Sequence, residues 1–174
     1  TGASGPEGYV TDGTTVGTAL IGDVNPGPTG SSPGSFTVLS SWLYFIANDG
    51  TNGPELWRWN GVAAPTRLST SASPPSASMR ILATQIFDVW FGGDGPAGDE
   101  LFRFDTIGMT VTPFDVNPGP ASSQPRVCSE ISLSMYCVFG GDGMTADVFQ
   151  MSSVAVPVAD LVPGPSGADA TLFA

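Results

Sequence analysis

The chain has 174 residues, a net charge of −11, five arginines, and neither lysine nor histidine. So few cations cannot neutralise a phosphate backbone, which excludes nucleic acids as partners. An acidic chain is also repelled by the surface of an anionic membrane. The absence of histidine excludes Ser-His-Asp catalysis and histidine-ligated metal sites. No apolar run is long enough to span a bilayer, so membrane insertion is not expected.

Glycine and proline residues separate the apolar segments of the chain. The chain contains 23 glycines and 16 prolines, yet 41% of its residues are hydrophobic. Gly and Pro are the residues least tolerated inside helices, so this pattern favours many short strands joined by turns. A chain of this length is long enough for one domain with its own core and too short for two, and we therefore predict a single all-β domain over residues 1–174.

Four segments along the chain share an acid, an apolar or small residue, and an aromatic residue, followed by a turn. They begin at Glu7, Glu55, Glu100 and Asp147, and successive starts lie 48, 45 and 47 residues apart. Such self-similarity at a fixed spacing is the signature of a repeat architecture.

Two further markers keep the same spacing. The sequence Asp-Val-Asn-Pro-Gly-Pro begins at Asp23 and Asp115, and Asp-Leu-Val-Pro-Gly-Pro begins at Asp160. A third marker, Asn-Asp-Gly or Gly-Asp-Gly, precedes each of the later acidic segments. The three markers together predict about four degenerate units of roughly 46 residues, at approximately 1–41, 42–86, 87–133 and 134–174.

Each unit is predicted to contain four antiparallel strands, as in a partial or small β-propeller. In the second unit the apolar and alternating segments are 42–47, 55–59, 66–69 and 79–84. The Pro-Gly-Pro stretches cannot donate ladder hydrogen bonds, so they are expected to cross between sheets. The repeated aromatics should form the core between sheets: Tyr9, Trp57, Phe102 and Phe149.

These markers resemble the ELWxxDGT repeat family of bacterial extracellular proteins. The match is clearest at residues 9–14, 23–27, 43–45 and 55–57, and it covers nearly the whole chain. The resemblance implies a β-propeller-like fold and a secreted or cell-surface location. It implies little about activity, because the family is defined by its repeat.

The two cysteines occupy strand positions on either side of a predicted hairpin turn near Ser132 and Leu133. Cys128 lies where Phe36 lies in the first copy, and Cys137 follows nine residues later, as Phe45 follows Phe36. We predict a cross-strand disulfide, which fits an oxidising compartment. The alternative is two buried free thiols.

Acidic residues recur beside the hairpins of successive units. Carboxylates together with backbone carbonyls suit calcium, although no segment matches an EF-hand loop. The alternative is that these acids only form turns, by accepting hydrogen bonds from nearby backbone NH groups. The candidate metal ligands are Asp49, Glu55, Asp94, Asp99, Glu100, Asp142 and Asp147.

No catalytic residue and no other cofactor is predicted. Paired carboxylates are the only catalytic apparatus available, and here they recur as scaffold rather than forming one unique pair. About 15 strands are counted, including one at 171–174, where four full sheets need 16. We expect the open edge to be filled by another copy of the chain or by the remaining repeats of a longer one.

The prediction from sequence is a non-catalytic, extracellular structural or scaffold protein of the cell surface, with self-assembly into a filament as one expected form. The alternative is a propeller module that binds carbohydrate or protein through loops and exposed aromatics. Its partners would accordingly be copies of itself, further repeats, or glycans.

Overall fold

The computed structural model describes residues 5–68, 78–95, 98–117, 121–141, 148–152 and 155–159. The regular elements of this part of the chain are all β-strands, which confirms the predicted all-β class. Accordingly, none of the described residues belongs to a helix long and apolar enough to traverse a bilayer. The strands are β1 (Gly8–Val10), β2 (Ala19–Gly22), β3 (Gly34–Leu39), β4 (Trp42–Asn48), β5 (Pro54–Trp59), β6 (Thr66–Arg67), β7 (Arg80–Gln85), β8 (Asp88–Gly95), β9 (Gly98–Asp105), β10 (Thr110–Phe114), β11 (Pro125–Ile131), β12 (Ser134–Phe139), β13 (Val148–Met151) and β14 (Ala155–Ala159).

Residue contacts divide the chain into two compact units, Thr1–Met79 and Arg80–Ala174. In the first unit, β1 and β2 form a two-stranded half-sheet, and the next strands form the first full sheet in the order β3-β4-β5-β6. The second unit contains the second full sheet, β7-β8-β9-β10, and the third, β11-β12-β13-β14. Four antiparallel strands in chain order are the architecture of a propeller blade. The single-domain organisation stays a prediction.

The sheets are offset from the sequence units by one strand. The first full sheet takes β3 from the unit 1–41 and its other three strands from the unit 42–86, and the later sheets repeat this offset. The turns between the first and second strands lie at residues 40–41, 86–87 and 132–133. They are spaced 46 residues apart, so the period predicted from the sequence is also the structural period.

The turn between β11 and β12 forces two ordinary residues into left-handed backbone. Ser132 has a φ of 49° and Leu133 a φ of 66°, and the Leu133 side chain is largely exposed. A two-residue turn with positive φ at both positions favours Asn-Gly, because glycine adopts this conformation without a steric penalty.

Leu133→Gly is therefore expected to raise the free energy of unfolding by about 0.5–1 kcal/mol, the left-handed penalty less the entropy that glycine adds to the unfolded chain. Urea denaturation would measure the change. Leu133→Ala removes the same exposed side chain but keeps the Cβ, and should bring no gain. An equal gain from both variants would contradict the role of backbone strain.

The core of the first unit is aromatic. Phe45 and Trp57, which face each other across β4 and β5, are buried together with Ala47. The indole nitrogen of Trp57 donates a hydrogen bond to the carbonyl of Ala47 at 3.0 Å, which satisfies the polar end of the buried ring. Phe36 on β3 stacks on Phe45 with ring centroids 5.7 Å apart. The ring ladder across β3, β4 and β5 therefore organises this sheet.

The core of the second unit joins side chains from both of its full sheets. Trp90 packs on Phe114 with ring centroids 5.6 Å apart, and Phe139 meets Phe149 edge to face at 5.4 Å. Neither sheet can bury its apolar face alone, so stacking one on the other supplies the hydrophobic stabilisation. The buried cluster comprises Trp90, Leu101, Phe114, Cys128, Met135, Cys137, Phe139, Phe149 and Met151.

The repeated aromatics do not all become core. Trp57 and Phe149 are buried, and Phe102 is partly buried while stacked on Phe91 at 5.3 Å. For Tyr9 the prediction is wrong, because 51% of its surface is exposed. Among the described residues β1 pairs with β2 alone, so the flank that β4, β8 and β12 cover in the full sheets is open beside Tyr9.

The Pro-Gly segments that begin at Asp23 and Asp115 make connections between sheets, as predicted, whereas the marker at Asp160 and the strand predicted at 171–174 lie outside the described residues. Residues 23–33 lead from β2 in the half-sheet to β3 in the first full sheet, and residues 115–124 lead from β10 to β11. Residues 118–120 of the second connection lie outside the described residues. These connections bring the start of each new sheet beside the third strand of the sheet before it, where the acids of the repeat lie.

Candidate functional site

The acid that opens the first repeat holds the connection to the next sheet. The Glu7 carboxylate accepts hydrogen bonds from the backbone NH of Ser31 at 2.8 Å and from the Ser31 hydroxyl. It also accepts longer bonds, of 3.4 Å each, from the backbone NH groups of Val24 and Asn25. We call this arrangement of an acid and a serine a clasp. It satisfies backbone donors that a Pro-Gly connection cannot satisfy within itself.

The same clasp recurs in the second unit at greater depth. The Glu100 carboxylate accepts hydrogen bonds from the backbone NH of Ser123 at 2.9 Å and from the Ser123 hydroxyl. Glu100 is 3% exposed and Ser123 is fully buried. Burial raises the pKa of Glu100 above its ordinary value of 4.5, against the lowering effect of the bonds from Ser123.

The asparagine of the Asp-Val-Asn-Pro-Gly-Pro marker donates a hydrogen bond within each connection, next to the serine of the clasp. The Asn25 side chain donates to the carbonyl of Gly30 at 2.7 Å, and the Asn117 side chain donates to the carbonyl of Ser122 at 3.4 Å. The two sequence markers, acid and Asn-Pro-Gly, therefore meet in space. The serines were not predicted from the sequence, although Ser31 follows Glu7 by 24 residues and Ser123 follows Glu100 by 23.

The third candidate glutamate follows the same pattern. Glu55 is 1% exposed at the start of β5, and Ser78 follows it by 23 residues, the spacing that separates Glu100 from Ser123. In the strand pairs, Glu55 lies opposite Ala47 and Glu100 lies opposite Gly93. A small residue therefore lies across the ladder from each of these two glutamates.

Two of the predicted metal ligands are engaged by arginines of their own sheets. Asp49 lies 3.3 Å from Arg67, and its carboxylate also accepts bonds from Thr51 and Asn52. Partial burial works against ionisation of Asp49, but the bonds from Asn52 and Thr51 and the nearby Arg67 lower its pKa overall.

Arg80 makes the stronger contact. Its two terminal nitrogens reach both oxygens of Asp99 at 3.0 and 2.9 Å, and it also donates to the carbonyl of Pro125. A bidentate arginine pair of this kind fixes geometry as well as charge. It therefore ties β9 to the first residue of β11, across the two full sheets of the second unit.

Of the remaining candidate ligands, the structure describes only Asp94. Asp94 is exposed near the end of β8, whereas Asp142 and Asp147 lie outside the described residues. Within the described ranges no group of three or more acidic, cysteine or histidine side chains is close enough to hold an ion. A calcium ion would have to displace the serine and arginine partners of Glu100, Asp99 and Asp49. The calcium site stays a prediction.

Two other acids form turns, which was the alternative prediction for acidic residues. Asp12 accepts bonds from the backbone NH and hydroxyl of Thr14, and Asp105 accepts from the backbone NH groups of Ile107 and Gly108. The hydrogen bond from the Thr14 hydroxyl is the largest effect that lowers the pKa of Asp12. The hydrogen bond from the Gly108 NH is the largest effect that lowers the pKa of Asp105. The Asp-Gly-Thr element therefore has a structural explanation in the chain itself.

The cysteines form the predicted cross-strand disulfide. Cys128 on β11 and Cys137 on β12 lie opposite each other in register, and their Cα atoms are 4.1 Å apart. The hairpin turns at Ser132 and Leu133, as predicted. Both cysteines are buried in the core of the second unit. A disulfide is compatible with an oxidising compartment.

The half-sheet is the irregular feature of this repeat protein. Its strand β1 corresponds to the third strands β5 and β9, because Glu7 makes the same clasp as Glu100 and begins the same motif as Glu55 and Glu100. The full sheets cover this strand on both flanks, whereas in the described residues β1 is covered on one. An open strand edge beside exposed Tyr9 and Val10 is a template for another strand.

Comparisons with protein-family models, with curated proteins and with solved structures found no match. Any functional conclusion therefore depends on the geometry of the chain's own residues.

Proposed function

We propose that this chain is a non-catalytic scaffold protein of the cell surface, whose copies join by adding a strand to the open edge of β1. The observation that carries the proposal is the half-sheet. It has the clasp and the aromatic of a third strand, yet 51% of the Tyr9 surface is exposed. Within the described residues β1 is paired on one flank, and a strand added on the other would pair its backbone and bury this ring.

The role of the acids supports a scaffold rather than an enzyme. Glu7 and Glu100 are engaged with serines, and Asp49 and Asp99 with arginines. A catalytic carboxylate pair occurs once in a chain, whereas here the contact of a glutamate with a serine recurs between repeats, as does that of an aspartate with an arginine. Contacts that recur from repeat to repeat are typical of an array of equivalent structural modules.

The extracellular location is proposed on two grounds. The buried disulfide between Cys128 and Cys137 is favoured in oxidising compartments and is rare in the cytosol. The resemblance to the ELWxxDGT repeats, whose members are extracellular, points the same way. We propose membership of that family, supported by hairpin turns at strict 46-residue intervals and by the junction of its two sequence markers in the clasp.

Assembly should depend on the β1 edge. Purified protein is expected to form oligomers or fibres as its concentration rises, seen by light scattering and electron microscopy. Tyr9→Lys should reduce assembly by at least about tenfold, because a lysine on an edge strand opposes pairing.

The matched control is Val16→Lys, which replaces another exposed apolar residue of the same unit, 97% exposed and outside the strands. It should assemble as the unmodified protein does. Circular dichroism verifies that both variants remain folded. Unmodified protein that stays monodisperse and monomeric at high concentration would refute the proposal.

A recognition module remains the second candidate, favoured by a cleft in the first unit. The cleft has a volume of about 250 Å³, and the residues that line it include Ser32, Ser35, Ile46 and Asn48. A lining of polar and apolar residues of this kind suits a sugar. Glycan binding by monomers, lost in Asn48→Ala, would favour this alternative over the scaffold.

A further inference from the structure

The cleft of the first unit lies where the second unit places an arginine side chain. We propose that the absence of this arginine makes the cleft a binding site for a single neutral sugar unit. The inference rests on the recognition candidate and specifies its ligand, and it does not depend on strand addition at β1. It is argued from equivalent positions in the full sheets.

In the second unit, Arg80 on β7 fills the position in question. Its guanidinium group binds both oxygens of Asp99 and the carbonyl of Pro125. The side chain passes over Gly92, which lies opposite Arg80 on β8. A Cβ placed on Gly92 would lie 2.9 Å from the Cζ of Arg80, so a larger residue there would displace the arginine.

The third full sheet combines arginine and glycine in the same way. Arg126 on β11 lies 46 residues after Arg80, and a Cβ placed on Gly140 would overlap its guanidinium group. Gly140 directly follows the second strand of this sheet, β12. Two of the three full sheets therefore place an arginine of the first strand against a glycine of, or next to, the second strand.

The first full sheet reverses this arrangement. Gly34 on β3 occupies the arginine position, and Ile46 lies opposite it on β4, each 46 residues before its counterpart. Pro54, which precedes the glutamate of the third strand, occupies the position of Asp99. The ion pair and the glycine that accommodates it are thus replaced together by uncharged residues.

These equivalent positions line the cleft. Its lining includes Gly34, Ile46, Pro54 and Met79, and Met79 lies 46 residues before Pro125. Among the described residues, a Cβ placed on Gly34 would meet no atom within 4 Å beyond its chain neighbours. The φ of Gly34 also lies outside the left-handed region, so other residues fit its backbone. Open space therefore remains where the second unit has its arginine.

The lining of the cleft is neutral, which decides the class of ligand. None of the described residues that line it is charged, so an ionic ligand would lose hydration without gaining an ion pair. Ser32, Ser35 and Asn48 can form hydrogen bonds, whereas Ile46 and Pro54 are apolar. A sugar ring likewise combines hydroxyls with an apolar face. The volume of about 250 Å³ is below the range of about 300–1,000 Å³ for drug-sized ligands, which suits one sugar unit.

Asn48 is the residue of the lining that is best fixed in position. Its side-chain oxygen accepts a hydrogen bond from the backbone NH of Gly50 at 2.7 Å, and its own backbone NH donates to the carbonyl of Ser31 at 3.0 Å. The side-chain oxygen is therefore engaged, and the side-chain NH₂ group is the donor that Asn48 offers to a sugar hydroxyl.

Binding can be followed by NMR spectroscopy of the isotope-labelled full-length chain. The probes are the methyl glycosides of glucose, galactose, mannose and N-acetylglucosamine, and the charged comparison is glucuronic acid. At least one glycoside should shift the amide resonances of Gly34 and Asn48, and should bind at least about tenfold more tightly than glucuronic acid, which the cleft cannot pair.

Filling the cleft should abolish this binding. Gly34→Arg restores the side chain of the second unit and should weaken binding by at least about tenfold, and Gly34→Met, which fills the same space without charge, should do the same. The matched control is Val38→Arg, which adds the same charge to the same strand at a position 66% exposed and outside the lining. It should bind as the unmodified protein does. Circular dichroism verifies that each variant is folded.

The outcomes separate this inference from the proposed function. Binding that persists in both Gly34 variants overturns the assignment of the site, and equal binding of glucuronic acid overturns the neutral ligand. Resonances shifted by the neutral peptide Ser-Gly-Ser and by none of the glycosides overturn the sugar. No shift at Gly34 or Asn48 with any glycoside overturns the inference, while the assembly measured for the β1 edge is unaffected by that result.

Discussion

Ser123→Ala is expected to lower the free energy of unfolding by about 2–3 kcal/mol at neutral pH, because it removes a charge-assisted hydrogen bond from a buried carboxylate. Glu100 is 3% exposed, so water cannot readily replace the lost hydroxyl. Urea denaturation would measure the change, and amide hydrogen exchange would place it in β9 and β11.

The matched control is Ser31→Ala, which removes the equivalent hydroxyl from Glu7. Glu7 is only partly buried, so solvent can reach its carboxylate, and the loss should be about 1 kcal/mol or less. Equal losses from the two variants would mean that burial does not set the strength of the clasp.

The pH dependence of the Glu100 clasp has a definite sign. Burial raises the pKa of Glu100, so the folded protein takes up this proton before the unfolded chain does as the pH falls. The contribution of this group to stability is therefore complete below its ordinary value of 4.5 and is lost as the pH rises through the raised value. Measured against Glu100→Gln, which cannot titrate, the native chain should gain stability as the pH falls through this window.

Removing the disulfide is expected to have an effect of similar size. The bridge joins residues nine apart, and closing so short a loop restricts the unfolded chain by about 2.5–3 kcal/mol at 25 °C. The double variant Cys128→Val and Cys137→Val keeps apolar, strand-forming side chains in the core, so its loss of unfolding free energy should approach this value.

The double alanine variant serves as the comparison. It also leaves space beside Phe149, which faces Cys137 across the ladder, and should lose about 1–3 kcal/mol more. A valine variant as stable as the native chain would show that the bridge contributes no stability. Thermal melting with and without reductant provides an independent measurement of the same quantity.

Much of the architecture was predictable because it is recorded in local patterns. Alternating apolar residues, aromatic positions and turn dipeptides follow the backbone geometry of a strand and its hairpin within a few residues. The period of 46 residues, the crossing Pro-Gly connections and the pairing of Cys128 with Cys137 all followed from such spacing. The aromatic repeats also identified Trp57 and Phe149 as core.

The sites were less predictable, because they depend on residues distant in the chain. Glu100 and Ser123 lie 23 residues apart on different elements, and only the folding of the connection brings them together. The acids were predicted either as calcium ligands or as turn formers, because carboxylate chemistry is visible in a sequence whereas the hydroxyl that satisfies a carboxylate is not. Ser31 and Ser123 gave a signal only in their fixed spacing from the glutamates.

Strand content, the repeat and its turns depend on neighbours along the chain, so they could be predicted from the residues alone. The tertiary structure alone decided that Tyr9 is exposed while Trp57 and Phe149 are buried, although all three occupy the same position in the motif. Whether such a side chain is buried is set by the strand that lies alongside it, and not by the type of residue. Equivalent motifs differ in solvent exposure where one of them lacks a neighbouring strand on one flank.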